Sequence, residues 1–597
     1  MSLMTRFIAP AAAVAIIAAL ILALPTPEPD LEAEQSGFAI THVRVFDGQR
    51  FHEDQDVIVQ NGKIAAVGTT LDISPSLRKI PGNGRTLLPG LIDAHVHTFG
   101  RARQDALRFG VTTLVDMFTS PEILPEARQQ RGRADETRLA DLYSAGMLAT
   151  ASGGHGTQFG VPVTPVQGPE LAASWVDDRL AEGSDFIKIV IEPGGVWGRS
   201  MPTLDPATVR ALVSAANERG VIAVAHVSTM ADAQMAIEAG VDGLVHVFVD
   251  QRVSQSVLEL AREKEVFVIP TAIVMAGAGG QVDAQALSAE PGVGERLSDE
   301  QQQSLAQDTW MTANGSALLD RAIENTTALH QAGVPLVAGS DAPNPGTAHG
   351  ISLHQELELL VRAGLSAAEA LAAATESPAE VFGLEGRGCL KPGCRADMVL
   401  IDGDPRIDVT HTRRIDAVWK NGFPIKLERE ASEPPERPTV AVDLLDNDEI
   451  GRWIAADDSF MGGNSSASVL AAKGGQLRVE GELKPGAPFP YAGVMWSPGQ
   501  PFMTPVDLAG RKRLDIGLQV NRSDGAIGWM AMLFSGASPG SRAPMQVPLT
   551  ATPNGAQLSL DLQELDDFDA ARFQALGIFA VGTSGQFEFE LIEVRLQ

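Results

Sequence analysis

Between residues 90 and 380, short apolar runs alternate with helical stretches, and a glycine closes the helix before many of the runs. "LRFG", "AEGS", "NERG", "IEAG" and "HQAG" each end a helical stretch. They lead into "VTTLVDM", "DFIKIVI", "VIAVAHV", "DGLVHVF" and "VPLVAGSD". With "GLIDAHVH", "GMLATAS" and "VFVIPTA" the runs number eight. Glycine enters the left-handed conformation that stops a helix without a Cβ clash, so these are helix-stop, strand-start junctions. Strands this uniformly apolar are buried on both faces, the habit of parallel strands covered by helices. Eight such units predict an α/β fold, a (β/α)8 TIM-like barrel over 89–381.

The flanks have a different texture. Residues 38–88 and 382–425 both show period-2 strands with Asn-Gly turns, at Asn61-Gly62 and Asn421-Gly422. Neither flank can bury a core alone, so the two are expected to combine as one small composite β-sandwich. Residues 426–440, "KLEREASEPPERPTV", read as a charged, Pro-rich linker. Residues 441–597 are strand-rich and form a separate all-β domain. A chain of 597 residues is too long for one core, which fits this division.

Residues 1–30 stand apart. Arg6 precedes the apolar run "FIAPAAAVAIIAALILALP", which gives way to Pro and acidic residues. This is the pattern of a secretory signal peptide, with an uncleaved N-terminal anchor as the alternative. The expected location is periplasmic or secreted, with membrane contact only if the segment is retained. In an oxidising compartment Cys389 and Cys394, flanking a Pro-Gly turn, can form a disulfide; otherwise they are two free buried thiols. The formal net charge of −29 argues against nucleic acid and anionic membranes as partners.

Polar residues collect where the predicted strands end. The first contributes His95 and His97, two positions apart and so on one face of a strand. The fourth carries Lys188 between isoleucines, the fifth ends in His226, the sixth carries His246 and the eighth ends in Asp341. Catalytic groups of such barrels come from several strand ends at this face. Taken singly, each histidine reads more readily as a satisfied core residue than as a ligand, and Asp341 as a turn or helix-cap residue. Together they match a metal site of imidazole and oxygen ligands. Lys188 adds to this, because a bare ammonium inside an apolar strand is costly unless paired or chemically altered.

The stretch 38–425 resembles the amidohydrolase superfamily, near its imidazolonepropionase-like and Xaa-Pro dipeptidase-like branch. The resemblance rests on "LLPGLIDAHVH", "DFIKIV", "AVAHV", "PLVAGSDAP" and "GCLKPGCRADMVLID". It implies two divalent metal ions, with zinc the first expectation for imidazole ligands. His95, His97 and Asp341 would hold one ion, His226 and His246 the other, and a carbamylated Lys188 would bridge them. It implies hydrolysis of a C–N bond in a small amide, dipeptide or cyclic amide by a bridging hydroxide, with Asp341 as general base and then acid. His155, in "ASGGHGTQFG", would bind substrate, and Trp197 and Arg199 are candidate pocket residues. The sixth-strand motif departs from the family's His-Gly by reading "HVFVD".

The segment around "DDSFMGGNSS" resembles the complex I intermediate-associated protein family, a galactose-binding-like jelly roll. Its Trp453, Tyr491, Trp496 and Trp529 are candidates for a glycan platform or for its core. Two rival readings remain. One is a mononuclear cyclic-amide hydrolase, the other a catalytically inactive carbohydrate-binding or assembly protein.

Overall fold

The computed structural model describes residues 37–157, 163–198, 200–307, 315–429 and, with short gaps, 443–597. The N-terminal apolar run, Arg199, most of the linker and residues 459–464 of the C-terminal motif lie outside the described residues.

The glycine junctions behave as helix stops. Gly110, Gly183, Gly220, Gly240 and Gly333 all have φ between 68° and 110°. Helix Ala172–Glu182 ends at Gly183 and helix Met230–Ala239 at Gly240, each glycine N–H capping the last turn. The strands that follow pair in parallel. Leu91–Val96, Val111–Asp116 and Asp141–Ser144 form one sheet. Ile187–Ile191, Ala223–Val227, Gly243–Val245 and Phe267–Ile269 form another. Parallel bridges at Ala149–Ile189, Val268–Leu336 and Val96–Ala342 run between the ends of the two sheets and the segment 336–342. Every residue of the strands bearing His95, Lys188 and His226 is buried.

Two strands differ from expectation. The third ladder lies at Asp141–Ser144, upstream of "GMLATAS", whose Ala149 makes only an isolated bridge. "DLYS" lacks an apolar run because its polar ends are neutralised by distant residues. Asp141 pairs with Arg387 at 2.5 Å, and the Ser144 hydroxyl donates to Asp116 at 2.5 Å. The eighth run likewise makes bridges rather than a ladder. Pro335 has no N–H to donate, and Asp341 leaves the extended conformation at φ 54°.

The flanks come together in one hydrogen-bonded sheet of eight strands. Its join is antiparallel, with Met398–Asp402 against Arg85–Pro89. Bulges in strand Phe38–Phe46 let it pair with Arg78–Pro81 at one end and with Thr86–Leu87 at the other. Phe38, Ile40, Val45, Leu87, Met398 and Trp419 share its core. Both Asn-Gly pairs take positive φ at both residues, as a two-residue hairpin turn requires. Cys389 and Cys394 are disulfide-bonded.

Residues 443–597 form antiparallel sheets of five and six strands around a separate core. Of the two readings of its aromatics, the tryptophans take the core one. Trp453, Trp496 and Trp529 are at most 8% exposed, and their rings lie in that core. The indole N–H groups of Trp453 and Trp496 donate to the Leu444 carbonyl and the Glu449 carboxylate, which makes burial of these large rings affordable. Only Tyr491 of the four keeps partial exposure.

Candidate metal centre

Parallel pairing sets the strand ends side by side, and the chain bends sharply where the polar residues emerge. His246 at φ 72°, Thr271 at φ 49° and Asp341 at φ 54° are non-glycine residues in the left-handed region. Each such position costs of order 1–3 kcal/mol and persists only where its surroundings hold it. The holding contacts are present. Buried Asp93 accepts the Ser340 amide at 2.9 Å and hydroxyl at 2.6 Å, fixing the residue before Asp341. Buried Glu356 accepts the Ala272 and Ile273 amides, fixing the turn at Thr271. Burial pushes the Asp93 carboxyl up to about 7 and that of Glu356 up to about 8.

Asp341 is the hub. Its Oδ1 lies 3.2 Å from His95 Nε2 and 3.0 Å from His97 Nε2, and its Oδ2 lies 3.9 Å from His246 Nδ1. His95, His246 and Asp341 offer ligand atoms that all lie within 4.8 Å of one another. Short as they are, the contacts are not aligned as hydrogen bonds, and Oδ1 is buried without a hydrogen-bond partner. A carboxylate oxygen left orphaned between imidazole nitrogens fits a shared cation better than a protonated pair. Burial alone would raise the Asp341 carboxyl, but His95 and His246 hold it well below the usual carboxylate range. Burial, reinforced by Lys188, drives His95 down to about 3, against the opposing pull of the Asp341 carboxylate.

The imidazole rings are oriented from behind. His246 Nδ1 sits 2.7 Å from the Thr271 hydroxyl and His97 Nδ1 3.4 Å from the Phe118 carbonyl, which leaves each Nε2 available. Lys188 is 2% exposed, with Nζ 3.5 Å from His95 Nε2. Burial lowers its ammonium to about 8, against the opposing charges of Asp341 and Asp116.

His226 completes the cluster from the other side. Its ring lies 4.6 Å from that of His246, while Nε2 faces Glu192 at 3.3 Å. His155 stacks on His226 at 4.8 Å. All seven candidate residues therefore come together: His95, His97, His155, Lys188, His226, His246 and Asp341. Trp197 reaches the same neighbourhood by donating from Nε1 to Glu192 at 2.8 Å.

A model of the amidohydrolase family matches residues 86–426. The chain belongs to the amidohydrolase family. It is accordingly a hydrolase acting on carbon–nitrogen bonds. The chain is similar to ochratoxinase of Aspergillus niger, with 25% identity over 425 residues, covering 61% of this chain and 82% of the relative. It is also similar to imidazolonepropionase of Symbiobacterium thermophilum, with 27% identity, covering 57% of this chain and 82% of the relative. Among solved structures, a Xaa-Pro dipeptidase with bound methionine aligns with a TM-score of 0.54 at 20% identity, covering 66% of this chain and 100% of that one.

Several residues of this amidohydrolase site escaped the sequence reading. Glu192 stands four residues beyond Lys188, just past the end of its strand, and the following Pro-Gly-Gly makes it look like a turn residue. Asp116, which ends the second strand, holds the Thr98 amide at 2.6 Å beside His97, and its period-2 position could have flagged it. Thr271 and Glu356 carry no local signal, since each matters only through a contact distant in sequence.

Proposed function

We propose that the chain is an exported, binuclear metal-dependent amidohydrolase that cleaves the C–N bond of a small N-acyl amino acid, dipeptide or cyclic amide. The observation that carries this reading is the orphaned Asp341 Oδ1 between His95 and His97, with Lys188, His226 and His246 around it. On this reading the parallel strands and their three bridges close an eightfold barrel, with the cluster at its C-terminal mouth. His95, His97 and Asp341 would hold one cation and His226 and His246 a second, with Lys188, carbamylated, as a further anionic oxygen ligand. Zinc suits this donor set.

Divalent cations bound here supply an acidified water and Lewis-acid polarisation of the scissile carbonyl. The protein does the rest. Asp341 accepts the nucleophile's proton on its carboxylate and returns it to the departing amine nitrogen. His155, half-buried beside His226, donates to the substrate carbonyl or carboxylate. The buried walls of the strands keep bulk water from the reacting centre.

Export is supported by the apolar run at 1–30 and by the Cys389–Cys394 disulfide, a bond that persists in oxidising compartments. The two-sheet unit at 443–597 supports a galactose-binding-like jelly roll. A single-cation reading draws on the tight His95, His246 and Asp341 trio, and metal counting separates it from the binuclear one. The test is elemental analysis together with a screen of N-acyl amino acids, Xaa-Pro dipeptides and lactams on metal-loaded protein. Two ions per chain and turnover of one class are expected. One ion with full activity would remove Lys188 from its bridging role, and no turnover across all three classes would overturn the substrate assignment.

A further inference from the structure

Glu192 is 1% exposed, and every oxygen contact it makes has a purpose at the mouth of the strands. Oε2 lies 3.3 Å from His226 Nε2 and accepts the Trp197 indole N–H at 2.8 Å. Oε1 accepts the Gly194 amide at 2.6 Å. The Glu192 amide donates to the Thr203 hydroxyl at 2.9 Å, and the Met201 amide to the Pro193 carbonyl at 2.9 Å, closing the loop 192–203 at its base. One carboxylate thus grips both a histidine of the cluster and the turn Gly195–Trp197.

That turn is a wall. Gly195 and Val196 line a cavity of about 340 Å³ together with Thr229, Val249, Asp250 and Leu318. Thr229 stands three residues past His226, and Val249 three past His246, so two of the lining residues follow directly on segments that carry the cluster. Its volume lies in the lower range of ligand pockets, about 300–1,000 Å³. Val196, Val249 and Leu318 make it mainly apolar, with Asp250 the one acidic residue among the described lining.

We propose that Glu192 is a positioning residue joining the two: it fixes the tautomer of His226 and sets the wall of a pocket for the apolar group of the amide substrate. This rests on the reading of His226 as a metal ligand. A carboxylate facing Nε2 requires the proton there, which leaves the Nδ1 lone pair for a cation. An amide in its place can present N–H to Nε2, favouring the opposite tautomer, whose Nδ1 carries a proton and cannot ligate. Through Trp197 and Gly194 the same group holds Val196 against the substrate. The substrate class is then an amide bearing a branched aliphatic or aromatic group rather than a small polar one.

The experiment measures zinc affinity by competition with a chromophoric chelator, and KM for N-acetyl-leucine and N-acetyl-phenylalanine relative to N-acetyl-glycine. In the full-length protein, Glu192→Gln should weaken the second ion by roughly 10–100-fold, the usual consequence of losing an outer partner of a ligating histidine. It should also erase the KM preference for the apolar substrates. Trp197→Phe keeps the carboxylate on His226, so it should leave zinc affinity unchanged while raising KM for the apolar substrates only. Glu192→Asp, which withdraws the charge from His226, gives an independent reading of affinity should the Gln variant not fold. Unchanged zinc affinity in folded Glu192→Gln overturns the positioning role, and an unchanged KM ratio in both Glu192→Gln and Trp197→Phe overturns the pocket. His226→Ala that binds two ions as the wild type does overturns His226 as a ligand, whereas a single ion in the wild-type protein overturns the binuclear reading itself.

Discussion

Two of the buried polar clusters among the described residues are built in opposite ways. At the C-terminal strand ends, Asp341, His95, His97 and His246 crowd together with orphaned atoms and left-handed backbone. At the start of strand Asp141–Ser144, Asp141 lies 2.5 Å from Arg387 and 3.1 Å from Lys420, and Lys420 lies 3.3 Å from Asp397. Burial would raise the Asp141 carboxyl, but Lys420 and Arg387 hold it below its ordinary value. One cluster leaves coordination free for something to enter; the other closes on itself and ties the strand to the eight-stranded sheet. Buried charge is therefore no guide to a site until its partners are counted.

The difference can be broken from either side. Asp341→Asn keeps shape and one coordinating oxygen but cannot accept a proton. Turnover should fall by roughly 10²–10⁴-fold, the range for losing a general base, with the unfolding midpoint and bound metal little changed. Near-normal turnover with bound metal would remove Asp341 from the chemistry. Lys188→Ala should differ by losing metal together with activity, and short carboxylic acids should restore part of both if a carbamate bridges the ions.

Asp141→Asn should do the reverse. It leaves Arg387 and Lys420 buried against a neutral group, and breaking a buried pair costs about 3–5 kcal/mol. Urea unfolding should show that loss, while kcat per folded molecule stays near wild type. An unchanged unfolding midpoint would mean that the cluster holds nothing together.

A smaller effect comes from acid. His354 is fully buried, with Nε2 2.9 Å from the Phe109 carbonyl and Nδ1 3.0 Å from the Thr412 hydroxyl, and burial pushes its imidazole down to about 4. The unfolded chain binds that proton near 6.5, so the contribution is fully present above pH 6.5 and is lost as pH falls towards 4. The loss is roughly 3 kcal/mol across that window. His354→Gln should flatten melting temperature against pH between 6.5 and 4, and an unaltered slope would place the acid sensitivity elsewhere. The smallest effect is expected from ending the chain near residue 430. The core of 443–597 is separate from those of the preceding residues, so hydrolysis of small substrates should persist. A chain starting at 90 should misfold, because Met398–Asp402 would lose its partner Arg85–Pro89.

Patterns that repeat along the chain were legible in the sequence. The glycine stops, the apolar strands, both Asn-Gly turns and the strand-end histidines are local, and backbone preference or side-chain alternation is enough to expose them. The third strand was not legible, because "DLYS" is made buriable by Asp116, Arg387 and Lys420, which stand far from it in sequence. The tryptophans of the last domain could be named but not placed, since a large ring with a satisfied N–H is equally at home in a core or on a surface.

By itself, the sequence determined the element types, the alternation and the residues able to bind a cation, since these follow from conformational preference and side-chain chemistry one residue at a time. Tertiary structure alone decided which nitrogen each histidine offers and which carboxylates stand behind them. Thr271 and Phe118 set His246 and His97, Glu192 faces His226, and Glu356 fixes the turn at Thr271 from a helix 84 positions downstream of the amide it caps. Hydrogen bonds act over about 3 Å of space and are indifferent to separation along the chain, so such partners exist only once the strands have closed.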